Sequence, residues 1–261
     1  MRALHIAATG MSAQQMRVDT VANNLANMST TGYNARRAEF ADLHYQQHTR
    51  AGTISSADGT IVPTGVQLGL GARPTSVSMQ LEQGAVVATG GELDLAIEGR
   101  GWIEVTLPDG RAAYTRDGGL KRTGEGLIVT SDGFEVAPGI VIPADARSIS
   151  INAQGEVYAY FGDRVQPERM GQLTLASFVN ERGLEALGSN LYLETEASGP
   201  AFVANPGSDG LGILRQGYLE ESSVDAVREL TEMIKAQRGY ELNAKVITAA
   251  DQMMSATTQV R

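Results

Sequence analysis

The stretch LHIAATGMSAQQMRVDTVANNLANM, residues 4–28, is patterned as an amphipathic helix along its whole length. Its apolar side chains recur at alternating intervals of three and four residues, the a/d spacing of a coiled-coil seam, and Gln14 interrupts them. The apolar members of this stripe are Leu4, Ala7, Met11, Val18, Val21, Leu25 and Met28. We expect a helix over about residues 3–28, ended by the glycine of Ser29-Thr30-Thr31-Gly32.

The other end of the chain carries a second stripe of the same kind. It comprises Val227, Leu230, Ile234, Leu242, Val246, Ala249, Met253, Ala256 and Val260. Arg238 interrupts this stripe, and the successive steps of four around it form a stutter that locally unwinds a supercoil. Ser222 and Asp225 have the spacing of a capping box, so we expect the helix to begin near Ser222 or Ser223.

Two interpretations of these helices remain open. They are either ordinary amphipathic helices that pack on a core, or helices that pair and pack against copies of themselves. The faces opposite the stripes are rich in Asn, Gln, Thr and small residues, and residues 222–261 hold five acidic and five basic side chains. Because a neutral face does not repel a copy of itself, this composition favours self-assembly.

Composition excludes several classes of protein. The net charge of −9 argues against a nucleic-acid binder, and the absence of cysteine rules out disulfides and thiolate metal sites. No apolar run reaches the roughly 18 residues of a membrane-spanning helix. His5, Thr9 and Gly10 interrupt what would be the apolar core of a secretory signal, so export would need a pathway that reads no cleaved signal.

Between the helices the pattern changes to that of short strands. Ile103, Val105 and Leu107 alternate with polar residues, and Pro108-Asp109-Gly110 turns the chain into a partner strand. Similar short runs and glycine turns predict an antiparallel β domain over residues 79–221. Ahead of it we expect a connector over residues 36–78, in which residues 50–66 form an extended arm or a segment that is disordered until bound, and helix in part of 34–50 is left open.

The residue types of catalysis are sparse. His44 and His48 have the i,i+4 spacing of a helical metal pair, but no glutamate follows His44 and no third ligand is evident. Glu92 and Asp94 are a pair of carboxylates of the kind that occurs by chance among 30 acidic residues. We therefore predict no enzyme activity, no metal and no cofactor, with a β-domain binding module or enzyme as a remote alternative.

Five motifs resemble those of the bacterial flagellar rod and hook proteins. At the N-terminus these are Ala22-Asn23-Asn24-Leu25-Ala26-Asn27 and then Thr31-Gly32-Tyr33, and at the C-terminus Gln237-Arg238-Gly239-Tyr240-Glu241-Leu242-Asn243. In the middle, Asp94–Gly101 and Tyr114–Gly118 resemble motifs of the family's β domain. Gly239 departs from the family, where alanine is frequent, and should weaken the helix by about 1 kcal/mol.

The resemblance implies a mixed α and β fold, with a coiled coil of residues 1–35 and 222–261 forming the inner helical domain. It implies a structural subunit of the rod, most similar to the distal rod protein because of the arm at about residues 46–63, with a proximal rod or hook subunit as the alternative. It also implies a homo-polymer in the basal body, exported by the flagellar type III apparatus, with proximal rod proteins, the hook protein, the P- and L-ring proteins and the rod cap as partners. Neither nucleic acid nor direct membrane insertion is expected.

The stripes and the motifs together give the residues that we expect at an assembly interface. These are Leu4, Met11, Val18, Val21, Asn23, Asn24, Leu25, Asn27, Gly32, Tyr33, Leu230, Ile234, Gln237, Arg238, Tyr240, Glu241, Leu242, Asn243, Val246 and Met253.

Overall fold

A computed structural model describes residues 2–50, 52, 64–162, 164 and 166–259. The fold is mixed α and β, with one long helix near each end of the chain and antiparallel strands between them, as the sequence predicted. The chain divides into two compact units. Unit 1 comprises residues 1–25, 36–78 and 226–261, and unit 2 comprises residues 26–35 and 79–225.

Unit 1 contains both long helices and four strands. Its elements are α1 (Arg2–Ala26), β1 (Arg36–Asp42), β2 (Tyr45–Thr49), β3 (Val66–Gly69), β4 (Ala72–Met79) and α2 (Ala226–Gln259). Strand β1 pairs with β4, and β2 pairs antiparallel with β3. Residues 36–42 and 45–49 are therefore strands, and the option of helix in this region was wrong. Most of the expected arm, residues 51 and 53–63, lies outside the described residues.

Helix α1 has nearly the predicted bounds, whereas helix α2 begins later than predicted. Helix α1 ends at Ala26, two residues before the expected end. Helix α2 begins at Ala226 and not at Ser222 or Ser223, because Ser223 forms hydrogen bonds with another part of the chain. The N–H of Ser223 donates to the carbonyl of Tyr33 at 3.0 Å, and its Oγ accepts the N–H of Ala35 at 2.9 Å.

Unit 2 is built from short antiparallel strands. They are β5 (Val86–Ala88), β6 (Leu95–Glu98), β7 (Trp102–Thr106), β8 (Ala112–Thr115), β9 (Lys121–Arg122), β10 (Ile128–Val129), β11 (Glu135–Val136), β12 (Ala146–Ile151), β13 (Glu156–Phe161), β14 (Glu168–Gln172), β15 (Leu175–Ser177), β16 (Glu185–Gly188), β17 (Leu191–Leu193), β18 (Phe202–Ala204), β19 (Ile213–Gln216) and β20 (Tyr218–Glu220). A single 3₁₀ turn covers Glu181–Gly183.

The largest sheet of unit 2 is organised around the predicted hairpin. Strands β7 and β8 pair in the register Ile103↔Thr115 and Val105↔Ala113, and the N–H of Gly110 closes the turn on the carbonyl of Leu107. The sheet runs in the order β16-β17-β8-β7-β11-β10-β9, with β15 and β18 attached beside β7. Strands β12, β13 and β14 form a second sheet, and β19–β6 and β20–β5 form separate pairs.

Apolar side chains of these strands fill a core inside unit 2. Ile128, Ile142, Val105 and Leu175 are fully buried in it. Beside it, Trp102 contacts Tyr192 edge-on at 4.9 Å between ring centroids. Each such aliphatic or aromatic side chain contributes about 1.5–3 kcal/mol by leaving water, so unit 2 supplies most of its own stability.

Candidate assembly surface

The two long helices meet through small and polar residues. An ideal Cβ on Gly10 would lie 3.0 Å from the amide atoms of Asn243, and one on Gly239 would lie 3.0 Å from Cδ of Gln14. The contact therefore runs antiparallel, since position 10 faces 243 and position 14 faces 239. Glycine lets the two backbones approach closely here, which accounts for glycine at position 239 in spite of its weak helix propensity.

The apolar stripe of α2 remains exposed beside this contact. We use the name α2 stripe for Val227, Leu230, Ile234, Leu242, Val246 and Met253, all of which are exposed. Ile234 is 52% exposed and Leu242 is 63% exposed, whereas Ala236 on the other side of the helix is 0% exposed. Single exposed apolar residues are ordinary on a protein surface, but a row of six along one helix marks a surface for association.

Helix α1 is more enclosed than α2. Val21 is buried, and Leu4, Met11, Val18 and Leu25 are half-buried. Unit 1 also covers α1 with its strands: the Arg17 guanidinium lies 5.6 Å from the ring centroid of Phe40, and Thr9 lies beside the backbone of Gly71.

Asn24 uses its side-chain amide inside unit 1. Its Nδ2 donates to the carbonyl of Arg36 at 2.8 Å, and its Oδ1 accepts the N–H of Arg36 at 2.9 Å. The side chain is 1% exposed, so it reproduces one rung of a β-ladder and ties the start of β1 to α1.

Gly32 and Tyr33 lie inside unit 2. Gly32 has φ of +64°, donates its N–H to the carbonyl of Glu220 at 2.8 Å, and leaves no room for a side chain, since a Cβ would lie 2.7 Å from the carbonyl of Arg116. Tyr33 is buried, and its carbonyl accepts the N–H of Ser223. These two motif residues fix a turn within the chain.

The remaining residues of the predicted set lie at or near the surface. Asn23, Gln237, Arg238, Tyr240 and Glu241 are exposed, and Asn27 and Asn243 are half-buried. Asn243 donates from Nδ2 to the carbonyl of Gly239 at 2.9 Å, and Asn27 accepts from Thr30 Oγ1 at 3.2 Å.

Two buried acceptors of the helices have no hydrogen-bond partner among the described residues. They are Oε1 of Gln14, at the contact with Gly239, and Oε2 of Glu229 in the first turn of α2. A buried acceptor without a donor costs about 1–3 kcal/mol, so these two atoms reduce the stability of the helix pair within one chain.

A buried ion pair in unit 2 was not singled out from the sequence. Arg116 donates from Nη2 to Oε2 of Glu220 at 2.9 Å, and both side chains are more than nine-tenths buried. Glu220 also accepts the N–H of Gly84 on Oε1 at 3.0 Å. The sequence signal for this pair was the arginine within the motif Tyr114–Gly118, because an arginine inside a strand-and-turn motif needs a counterion. Its partner Glu220 lies 104 residues away in the sequence, so no local pattern connects the two.

Neither a metal-binding group of three side chains nor a membrane-spanning helix occurs in the described part of the chain. No group of three or more His, Asp or Glu side chains there is arranged to hold a metal ion, and Nε2 of His48 instead accepts from Nη1 of Arg2 at 2.6 Å. Among the same residues, no helix has the length and hydropathy needed to cross a membrane.

Three family models match separate parts of the chain. Residues 4–34 match the flagella basal body rod protein, residues 96–159 match the D1 domain of flagellar hook protein FlgE/F/G, and residues 215–260 match the C-terminal part of flagellar basal body rod FlgEFG protein. These matches and the two-helix, β-domain fold define the class of flagellar rod and hook proteins.

Full-length relatives narrow this class. The chain is 52% identical over 261 residues to the flagellar basal-body rod protein FlgG of Caulobacter vibrioides, covering 100% of both chains. It is 48% identical to the FlgG protein of Agrobacterium fabrum, over 98% of this chain and 97% of that one. The chain belongs to the flagellar basal-body rod protein FlgG family. This family is structural and not enzymatic, which excludes the enzyme alternative.

Proposed function

We propose that this chain is a subunit of the flagellar rod that polymerises with copies of itself through its two long helices. The observation that carries the proposal is the exposed α2 stripe. A helix that presents six apolar side chains to solvent, while it contacts Gly10 and Gln14 through Asn243 and Gly239, has apolar surface left for neighbours.

The energy of this association comes from covering that stripe. Leu230, Ile234 and Leu242 are already partly covered within the chain, so covering the rest of each would contribute about half of the roughly 1.5–3 kcal/mol that full burial provides. A copy of α1 or α2 is the partner of matching chemistry, since α2 is electrically neutral overall and its exposed polar residues around the stripe are Gln237, Arg238 and Glu241. We propose that coiled-coil pairing of these helices is completed between copies.

The helices are expected to be marginal before assembly. The α2 stripe is exposed, the α1–α2 contact is made by small and polar residues, and Gln14 and Glu229 each retain a buried acceptor without a described partner. Helical stability in proteins comes mainly from packing of the apolar face. A lone chain therefore lacks the main stabilising term for α2, and neighbours would provide it.

We further propose the distal part of the rod as the position of this subunit. Similarity over the whole length to basal-body rod proteins supports this assignment, and the expected arm at residues 46–63 is the sequence feature behind it. Proximal rod proteins, the hook protein, the P- and L-ring proteins, the rod cap and the type III export apparatus are the partners this position would require. A proximal rod or hook subunit is the second candidate, because one matching family model also covers hook proteins.

Electron microscopy of basal bodies from a strain that lacks this gene tests the proposal. We expect truncated rods without hooks, and the length of the stump separates a distal from a proximal position. Complete rods that carry hooks would overturn it.

The arm can be tested by expressing a variant that lacks residues 50–62 in the same strain. If the arm braces neighbouring subunits, this variant should form rods that bend. Straight rods after that deletion would remove the arm as an argument for the distal position.

A further inference from the structure

The α2 stripe has a charged residue in its middle. Arg238 lies four positions from both Ile234 and Leu242, so its side chain shares their face of the helix. It is exposed, and among the described residues its guanidinium forms neither an ion pair nor a hydrogen bond. Because a charge is costly to bury without a counterion, the surface that covers the α2 stripe must supply a carboxylate at this point.

Helix α1 presents such a carboxylate on its exposed face. We use the name α1 face for the row of exposed residues Ala8, Ser12, Gln15, Asp19, Ala22 and Ala26, which are spaced in steps of three and four. Asp19 is the one charged member of this row, and no described residue pairs with its carboxylate. The other charges of α1 have contacts of their own: Arg17 lies against the ring of Phe40, and Arg2 Nη1 lies 2.6 Å from Nε2 of His48.

These two charges do not meet within one chain. The contact between the helices is made by Gly10 and Gln14 of α1 and by Gly239 and Asn243 of α2. Asp19 and Arg238 both remain exposed beside this contact and form no ion pair with each other. Each is therefore left to pair with a residue of a second copy.

We propose that the α2 stripe of one copy packs on the α1 face of the next copy, where Arg238 donates to the carboxylate of Asp19. This inference rests on the proposed function and deepens it, because it names the helix that covers the stripe. Charge favours α1 over a second α2, since a second α2 would bring another Arg238 and Lys245, both exposed, to the same contact. Symmetry favours α1 as well: a contact between unlike surfaces repeats from copy to copy and gives an open polymer, whereas a two-fold contact between identical surfaces closes as a dimer.

The absence of cysteine allows site-specific cross-linking of the full chain. Asp19→Cys, Arg238→Cys and the double variant would each be expressed in the strain that lacks the gene, and purified basal bodies treated with a short bismaleimide. We expect a ladder of covalent oligomers from the double variant and only monomers from each single variant. Dimers from Arg238→Cys alone would indicate α2–α2 pairing, and assembled rods of the double variant that give no oligomers would show that the two positions are not adjacent. Either result would overturn the proposal.

Charge reversal tests the ion pair without cysteine. Asp19→Arg and Arg238→Glu should each reduce the number of basal bodies with hooks by at least about tenfold, since each variant places like charges at the contact. The combined variant exchanges the two charges and should recover most of the assembly. Glu125→Arg reverses an exposed carboxylate of unit 2 and should leave assembly unchanged. Normal assembly of both single variants, or a combined variant that assembles no better than either, would contradict the pairing.

Failure of this pairing is distinguishable from failure of the proposed function. Complete rods with hooks in the strain that lacks the gene would overturn the proposed function itself. Truncated rods in that strain, together with normal assembly of Asp19→Arg and Arg238→Glu, would overturn only the contact between the α2 stripe and the α1 face.

Discussion

Unit 2 buries its large apolar side chains in a core, whereas the α2 helix of unit 1 leaves most of its own exposed. In unit 2, Ile142 and Val105 are fully buried in one continuous core. In α2, Ile234 and Leu242 are more than half exposed, and the buried positions hold Ala236 and Ala250. The contrast separates a region that is stable by its own packing from a region whose apolar surface is available to other chains.

The largest expected effect is on the ion pair inside unit 2. Glu220→Gln keeps an acceptor for Gly84 but leaves the Arg116 charge without its counterion. We expect a loss of about 3–5 kcal/mol in the free energy of unfolding, measured by denaturant titration. Glu168→Gln, which breaks the exposed ion pair with Arg164, is the matched control and should cost less than about 1 kcal/mol. Equal losses of unfolding free energy in the two variants would contradict the claim that burial makes the Arg116–Glu220 pair the more important one.

The same truncation at a buried and an exposed isoleucine tests the contrast directly. Ile142→Ala should lower the free energy of unfolding by about 2–5 kcal/mol, because it leaves a cavity in the core. Ile234→Ala should change it by no more than about 0.5 kcal/mol in the dilute chain. A large loss from Ile234→Ala under those conditions would mean that the stripe is already covered within one chain.

Hydrogen exchange compares the backbones of the two regions. In a dilute monomer we expect amides of α2 to exchange at least about a hundredfold faster than those of β7 and β8, since α2 lacks a covering layer. Backbone NMR of the same sample should show the helices only partly ordered. Strong protection along α2 without assembly would contradict the proposal that neighbours stabilise it.

The smallest effect concerns Asp117 in unit 2. Burial raises the pKa of its carboxyl group, and the nearby charges of Asp132 and Asp94 raise it further, against the hydrogen bond from Gly119. A raised pKa in the folded state means that ionisation destabilises the fold. Asp117→Asn should therefore raise the melting temperature at neutral pH, and this gain should disappear below the ordinary pKa of 3.8. A gain in melting temperature that persists below that pH would mean that asparagine stabilises the fold by its packing and not by removing the charge.

Much of this fold follows from local sequence pattern. Steps of three and four predicted α1 to within two residues, and alternation with a Pro-Asp-Gly turn predicted the β7–β8 hairpin. The strands β1 and β2 were missed because residues 34–50 are polar and lack alternation. The late start of α2 depends on Ser223 bonding to residues 33 and 35, a contact between distant parts of the chain that no local signal reports.

Less of the candidate assembly surface than of the fold could be predicted from the sequence. Periodicity identified the apolar stripe of α2, but it does not say which side of the helix faces its own chain. Asn24, Gly32 and Tyr33 were grouped with the interface on the strength of their motif, and the structure places all three in buried positions with bonds to Arg36, Glu220 and Ser223. Whether the exposed members contact other subunits stays a prediction.

The most direct test of the account is the length of the rods formed by a charged variant of the α2 stripe. Leu242→Asp and the control Val179→Asp, at an exposed apolar position in unit 2, would each be expressed in the strain that lacks the gene. Basal bodies would be examined by electron microscopy after equal protein levels are verified. We predict truncated rods without hooks for Leu242→Asp and complete rods for Val179→Asp. Complete rods with Leu242→Asp would contradict assembly through the stripe.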